Sequence, residues 1–294
     1  MKKILLVLPF LSLVLSALPL VDSTQLQQAL SQKESVVVDI RSNKDRFNQS
    51  AHIPNAHLVS FHDIRADIDG IHGVLPTKKD LQNLLERLGI SKKSNVFITF
   101  EGNSLFEFGF ATRLYWTLKM VGHQKVSILQ GGTLAWIEEK REISSEPTSW
   151  ERSLYPIDKI DRQNIATTQD VLAAIKNTKT NVVDARDLNF YLGIYKRHYV
   201  AESGHIANAK VLPYNLMFLE DKKITLKDSD TIENIAELMK IDLEKDTIFY
   251  CDSGHISSIL WFVFHELLEY SNVKLYDGSM AAWRYNATSQ KLEN

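Results

Sequence analysis

The alternation of apolar and polar positions along this chain predicts short strands separated by amphipathic helices, with the whole series run through twice. Val36-Val37-Val38-Asp39-Ile40-Arg41 and Val96-Phe97-Ile98-Thr99-Phe100 are β-branched and aromatic runs too short for helices. Between and after them the spacing turns helical over residues 24–31, 78–88 and 106–121. The second half repeats the scheme, with helices expected over 168–176, 230–239 and 257–269. Strands and helices alternating at this spacing argue an α/β fold in which each unit is a mostly parallel sheet flanked by helices.

The repetition reaches individual residues. Val36 to Arg41 is answered by Asn181-Val182-Val183-Asp184-Ala185-Arg186, and Ala51-His52-Ile53-Pro54-Asn55-Ala56 by Gly204-His205-Ile206-Ala207-Asn208-Ala209. The strand ending at Phe100 matches one ending at Tyr250, and Leu129-Gln130-Gly131-Gly132-Thr133-Leu134-Ala135-Trp136 matches Tyr276-Asp277-Gly278-Ser279-Met280-Ala281-Ala282-Trp283. Paired landmarks in the same order mean a duplicated domain. The polar stretch 143–164, with Pro147 and Pro156 and no clear period, reads as a linker able to wrap and dock the two units, which then span 18–142 and 165–294.

Composition changes the picture mainly at the N-terminus. Lys2 and Lys3 precede an apolar run from Ile4 to Val14 that ends at Ser16-Ala17, the pattern of a secretory signal peptide of residues 1–17. An uncleaved anchor is the alternative, and Pro9, Pro19 and the small residues count against it. Losing the two lysines moves the formal charge from −2 to −4, which leaves no basic footprint for nucleic acid. The expected mature protein is an exported, periplasmic or secreted monomer with no membrane contact after cleavage. Export brings oxidising conditions, yet the chain has one cysteine and so no intramolecular disulfide.

That cysteine is the chemical focus. Cys251 sits where Thr247-Ile248-Phe249-Tyr250 breaks into the loop Cys251-Asp252-Ser253-Gly254-His255-Ile256-Ser257, before an apolar helix. A strand that turns through a glycine loop into a helix aims backbone N–H groups at one point, which makes an anion site and favours a thiolate held there. A buried structural cysteine is the bland alternative.

Together, the Asp-x-Arg strand ends, the His-Ile-x-x-Ala turns, the strand ending in a cysteine loop and the Asp-Gly-Ser-x-x-x-Trp segment resemble the rhodanese family in its tandem two-domain form. The resemblance covers essentially the whole mature chain. It implies a non-catalytic N-terminal copy, and aligning the halves puts Glu101 in the place that Cys251 holds. It implies sulfur transfer through a persulfide on Cys251, taken from a small donor and passed to a thiol, cyanide or protein acceptor by two half-reactions. The amides from Asp252 through Ser257 would stabilise the persulfide, with Gly254 allowing the tight curvature.

Loop chemistry narrows the choice. No arginine closes the loop, so phosphoryl or arsenate chemistry is disfavoured. Thiosulfate-specific relatives carry basic residues after the cysteine, whereas Asp252 stands here and would repel a dianion. A 3-mercaptopyruvate-like donor is favoured instead, because Ser253 matches the serine that joins a histidine and an aspartate in a proton relay. His72 resembles that histidine, with Asp67 and Asp69 as candidate carboxylates; a plain surface histidine is the alternative. The family's donor-binding arginine is Phe190 here, so either Arg197, Lys196 or His198 replaces it from the neighbouring loop or the site lacks its anion clamp. The catalytic set is therefore Cys251, Ser253, Gly254 and His255, with Asp252, Ile256, Ser257, His72, Arg186 and Arg197 around the substrate. His255 would add positive charge below an ordinary imidazole pKa of about 6.5. Asp184 with Arg186, and Asp39 with Arg41, read as strand-end ion pairs, His52 and His205 as turn fixers, Trp136 and Trp283 as core anchors, and His265 as a core histidine. No cofactor is expected, and no His/Cys/Asp spacing resembles a metal site. The competing function is a low-turnover sulfur carrier or protein-interaction module, suggested by Phe190 and Asp252.

Overall fold

The computed structural model describes residues 17–42, 51–177 and 179–283 and the backbone of 289–290, so the expected signal segment lies outside the described residues except for Ala17. In the first domain β1 (Leu20–Val21), β2 (Ser35–Arg41), β3 (His57–Ser60), β6 (Asn95–Thr99) and β7 (Val126–Leu129) form a parallel sheet in the order β1-β7-β6-β2-β3. A separate antiparallel hairpin joins β4 (Ala66–Ile68) to β5 (Ile71–Val74). The second domain repeats the plan. Its β8 (Ile165–Ala166), β9 (Thr180–Asp184), β11 (Lys210–Val211), β12 (Asp246–Tyr250) and β13 (Val273–Tyr276) run parallel in the order β11-β9-β12-β13-β8, and β10 (His205–Ile206) pairs antiparallel with β14 (Ser289–Gln290). The two α/β domains expected from the pattern are what the structure shows.

Local chemistry is duplicated as well. Asp22 with Gln25, and Thr167 with Asp170, make reciprocal capping boxes on the first helix of each half, each cap worth about 1 kcal/mol. Asn55 and Asn208 take matching left-handed conformations in the two His-Ile-x-x-Ala turns, a conformation asparagine tolerates.

The halves share one continuous apolar core, running from Val38 and Ile98 through Phe108 and Trp116 to Trp261 and Phe264. Its centre is the helix Leu105–Met120, buried almost all round because it lies between its own sheet and the helix Ser257–Trp261 of the other domain. Full burial of each large side chain there stabilises by roughly 1.5–3 kcal/mol, and the contact is fixed by polar bonds: Thr112 Oγ1 to Ser258 Oγ at 2.8 Å, Tyr115 to Glu266 at 2.5 Å and Lys119 to Glu266 at 3.2 Å. Residues 143–164 run back over the first domain, where Ser144 bridges His52, Trp150 Nε1 donates to Arg87 O and Tyr155 is buried.

Three details differ from the sequence-based expectation. The helix expected over 257–269 is α-helical only to Trp261, then widens into a π turn over Phe262–Leu267 that buries three consecutive apolar residues, Phe262, Val263 and Phe264. The β4–β5 hairpin was not anticipated, although Asp69-Gly70 is a strong signal for it. Both residues take positive φ, 51° and 72°, as a two-residue hairpin turn demands. Thirdly, the register moves the counterpart of Cys251. Asp39 pairs Thr99 where Asp184 pairs Tyr250, and Thr133 N donates to Phe100 O where Met280 N donates to Cys251 O. Phe100, not Glu101, is therefore the residue in the cysteine's place, and Glu101 is the counterpart of Asp252.

Candidate active site

Cys251 follows the last residue of β12, at the carboxyl edge of the sheet, where open α/β sheets present their ligands. Its side chain is 1% exposed and forms the floor of a cavity of about 210 Å³ lined by Cys251, Asp252, Ser253, His255 and Ile256 of the loop, Arg197, His198 and Tyr199 of the preceding segment, and Arg65 and Phe106 of the N-terminal domain. Ser257 Oγ donates to Cys251 Sγ at 3.2 Å. Two loop amides are committed to architecture: Cys251 N and Gly254 N both donate to Ser279 Oγ, at 3.1 and 3.0 Å, and Ser279 Oγ donates to Tyr276 O at 2.8 Å. Among the described residues the amides of Asp252, Ser253, His255, Ile256 and Ser257 meet no protein acceptor. The cradle is therefore narrower than the run expected from sequence, since Gly254 serves the loop's shape.

The N-terminal copy shows what such a loop accepts. There the amides of Gly102 and Asn103 both donate to Glu107 Oε2, at 3.1 and 2.9 Å, so an internal carboxylate fills the first half's equivalent turn. The second half leaves its turn open to the cavity.

Gly254 has φ +68°, and an added Cβ would come 2.7 Å from both Arg113 Nη1 and Asp277 O. Its carbonyl accepts from Arg113 at 3.1 Å, and Arg113 also pairs with Asp277 at 2.6 Å and donates to Gly73 O at 3.4 Å. This buried arginine of the N-terminal domain thus ties the cysteine loop, the β5 strand and the Asp277 turn together.

Arg186 and Asp252 take positions that revise their expected roles. Arg186 is 1% exposed and spends its guanidinium on Asp184 (2.6–3.1 Å), Asp252 (3.0 Å) and Gly204 O (2.8 Å). It does not line the cavity, and it repeats the pair that Arg41 makes with Asp39 and, at 3.7 Å, with Glu101. Burial opposes its charge, but Asp184 and Asp252 outweigh burial and hold its pKa above the ordinary value. Asp252 is drawn into this frame, with Arg197 at 3.7 Å on its other oxygen. Its carboxylate is paired, which offsets the repulsion of anions expected from sequence. Burial still pushes its pKa up, against Arg186.

His255 also differs from expectation. It lines the cavity, but its ring sits among Phe61, Phe106 and Phe110, with Nε2 against Phe106 O at 3.2 Å. Burial, with Arg65 and Arg113 nearby, holds its pKa well below the ordinary value, so the imidazole is neutral at neutral pH and supplies shape instead of charge. Arg197 is at the cavity, with its guanidinium 5.2 Å over the ring of Phe190. The phenylalanine standing in the expected arginine's place thus carries an arginine on its face. Lys196 points away and donates to Ala201 O at 2.8 Å.

Of the two candidate carboxylates, Asp67 pairs with His72 Nδ1 at 2.9 Å, while Asp69 occupies the hairpin turn. His72 packs against Tyr199 with ring centroids 4.1 Å apart at a 34° tilt, and its Nε2 faces Arg65 Nη2. Ser253 lines the cavity together with Tyr199, whose hydroxyl pKa is raised by burial. Sequence reasoning missed Arg65, Arg113, Tyr199 and Ser279. Arg113, a lone arginine in an apolar helix, and Ser279, in a duplicated turn, carried a signal; Arg65 and Tyr199 carried none.

Among the described residues no helix is long and apolar enough to cross a membrane, and no cluster of His, Cys, Asp and Glu is placed to hold a metal ion. The rhodanese-like domain family matches residues 22–139 and 167–286. The sulfur carrier protein TtuD of Thermus thermophilus is 30% identical over 80% of this chain and 82% of its own. A putative thiosulfate sulfurtransferase of Mycobacterium bovis is 35% identical over 69% of this chain and 75% of its own. In fold, the Tum1 protein of Saccharomyces cerevisiae superposes with a TM-score of 0.77 over 92% of this chain and 97% of its own at 23% identity. The anaerobic ergothioneine biosynthesis enzyme of Chlorobium limicola gives 0.80 over 94% and 71% at 19% identity.

Proposed function

We propose, from the premise that this chain belongs to the rhodanese family and is a sulfurtransferase of two tandem domains, that it moves a sulfane sulfur through a persulfide on Cys251, with a carboxylate-bearing 3-mercaptopyruvate-like donor favoured over thiosulfate. The observation that carries the reading is the buried Sγ on the floor of a small cavity, touched by the Ser257 hydroxyl and held in a loop several of whose amides have no protein acceptor among the described residues. These groups stabilise negative charge on sulfur, first as thiolate and then as persulfide.

With 3-mercaptopyruvate, the Cys251 thiolate attacks the donor sulfur and an S–S bond forms. The donor's C–S bond breaks with its electron pair on carbon, and that carbon takes the thiol proton, giving pyruvate. The hydroxyls of Ser253 and Tyr199 both stand at the cavity, where they relay this proton. In the second half-reaction a thiolate or cyanide acceptor attacks the outer sulfur, the S–S bond breaks and the Cys251 thiolate returns. Thiosulfate, whose leaving sulfite needs no proton, makes no use of that hydroxyl pair, which is why the thiol donor is favoured. The narrow cavity favours a small acceptor. The relative named as a sulfur carrier supports the second reading, in which a protein takes the sulfur.

Both domains of one chain complete the cavity, which supports function as a monomer. The Lys-Lys and apolar start supports export, to be checked by N-terminal sequencing of the mature protein. The deciding experiment is intact mass after exposure to 3-mercaptopyruvate and to thiosulfate in turn, followed by cyanide or thiol. Gain of one sulfur that the acceptor removes, abolished in Cys251→Ser, is the expected result. Equal loading of Cys251→Ser, or faster loading by thiosulfate, would overturn the mechanism or the donor preference respectively.

A further inference from the structure

The cavity contains a cation that comes from the other domain and is held by a purpose-built chain of contacts. Arg65 leaves the short helical turn Phe61–Ile64 just before β4 and lines the cavity beside Cys251, Asp252 and Ser253. Its guanidinium lies 4.9 Å over the Phe61 ring, and Nη2 meets His72 Nε2. His72 Nδ1 is bound by Asp67, whose carboxylate also accepts from Gly73 N at 3.0 Å. An arginine has only donors, so His72 Nε2 must present its lone pair to Arg65 while Nδ1–H donates to Asp67. That settles the tautomer from the network and also commits the lone pair that a proton relay to Ser253 would need.

Arg65 differs from its neighbours in what it lacks. Among the described residues Arg113, Arg186 and Arg197 each have a carboxylate partner within 4 Å, at Asp277, at Asp184 and Asp252, and at Asp252. Among the described residues no carboxylate lies within that distance of Arg65. A partly buried guanidinium, oriented by an imidazole and an aromatic face and aimed into a cavity, is a receptor for an anion.

We propose that Arg65 binds the carboxylate of the sulfur donor and that Asp67 and His72 are positioning residues for it. The assignment rests on the sulfurtransfer reading above. It places the donor clamp across the domain interface: nucleophile and Arg197 from one half, Arg65 from the other. Recognition of the donor then reports directly on how the two domains are docked.

The test compares 3-mercaptopyruvate with mercaptoacetone, which keeps the thiol and ketone but replaces the carboxylate by a methyl group. Arg65→Gln is expected to lower kcat/KM for 3-mercaptopyruvate by about 10- to 100-fold, the range of a lost charged hydrogen bond, chiefly through KM, and to lower that for mercaptoacetone by a much smaller factor. Arg65→Lys should fall between, and His72→Asn and Asp67→Asn should raise KM for 3-mercaptopyruvate alone, by smaller factors. Equal losses for both donors, or a KM in Arg65→Gln within twofold of the parent, overturns the assignment while leaving sulfur transfer intact. A parent protein that takes sulfur from neither donor overturns the underlying reading and this proposal together, and Arg65→Lys guards against a misfolded glutamine variant.

Discussion

Replacing Ser279 by alanine should unmake the cysteine loop without replacing any residue that lines the cavity. The hydroxyl is fully buried and makes three bonds, accepting from the amides of Cys251 and Gly254 and donating to Tyr276 O. Alanine leaves two buried N–H groups without acceptors, each costing about 1–3 kcal/mol, so the loss of stability should be about 2–6 kcal/mol. Ser279 also sits at φ +47°, where an L-residue carries a penalty of about 1–2 kcal/mol that glycine escapes. Ser279→Gly removes the same bonds but relieves the backbone, so it should be the more stable of the two variants, the reverse of the usual order. Urea unfolding followed by tryptophan fluorescence gives both values, and sulfur loading by intact mass should be slowed in both. An alanine variant within about 0.5 kcal/mol of the parent, well below the penalty for one buried unsatisfied amide, would refute the reasoning, as would a glycine variant less stable than the alanine one.

Other outcomes follow from the same packing. Gly109→Ala would set a Cβ 2.6 Å from His255 Nε2, and the overpacking should cost about 1–3 kcal/mol and displace the loop, read as a lowered urea midpoint together with slower sulfur loading; a variant unchanged in both would show that the helix and loop yield freely. Acid should destabilise the protein through buried imidazoles, because burial holds His123 at about 4 and His255 well below its ordinary value. The folded chain then declines protons that the unfolded chain accepts below about pH 6.5, so stability is intact above that pH and falls by about 1.4 kcal/mol per pH unit per imidazole as pH drops toward the folded values. Urea midpoints that stay flat from pH 7 to 5 would contradict this.

Much of the architecture was legible because duplication doubles every signal. The paired Asp-x-Arg strand ends and glycine turns located both sheets, and the break after Tyr250 located the nucleophile. What stayed hidden depends on side chains meeting across the interface. Nothing in the residues around Arg65 announces that it will cross to Cys251, because that is decided by how the helix Leu105–Met120 packs on the helix Ser257–Trp261. Similarly, Asp252 beside a cysteine reads as repulsive until the fold supplies Arg186 and Arg197. The one-residue slip between Glu101 and Phe100 arose because both lie at a strand end, and only the pairing of Asp39 with Thr99 fixes the count.

The carboxylate of Glu107, seated on the amides of Gly102 and Asn103, turns the N-terminal half into a socket sold with its plug. Restoring a cysteine at Phe100 would therefore give a thiol facing an occupied turn, and a second working centre would need Glu107 removed as well. The same logic reaches the laboratory bench: small carboxylate buffers such as formate or acetate are miniature versions of that plug, and they should compete with the donor at the open turn beside Cys251.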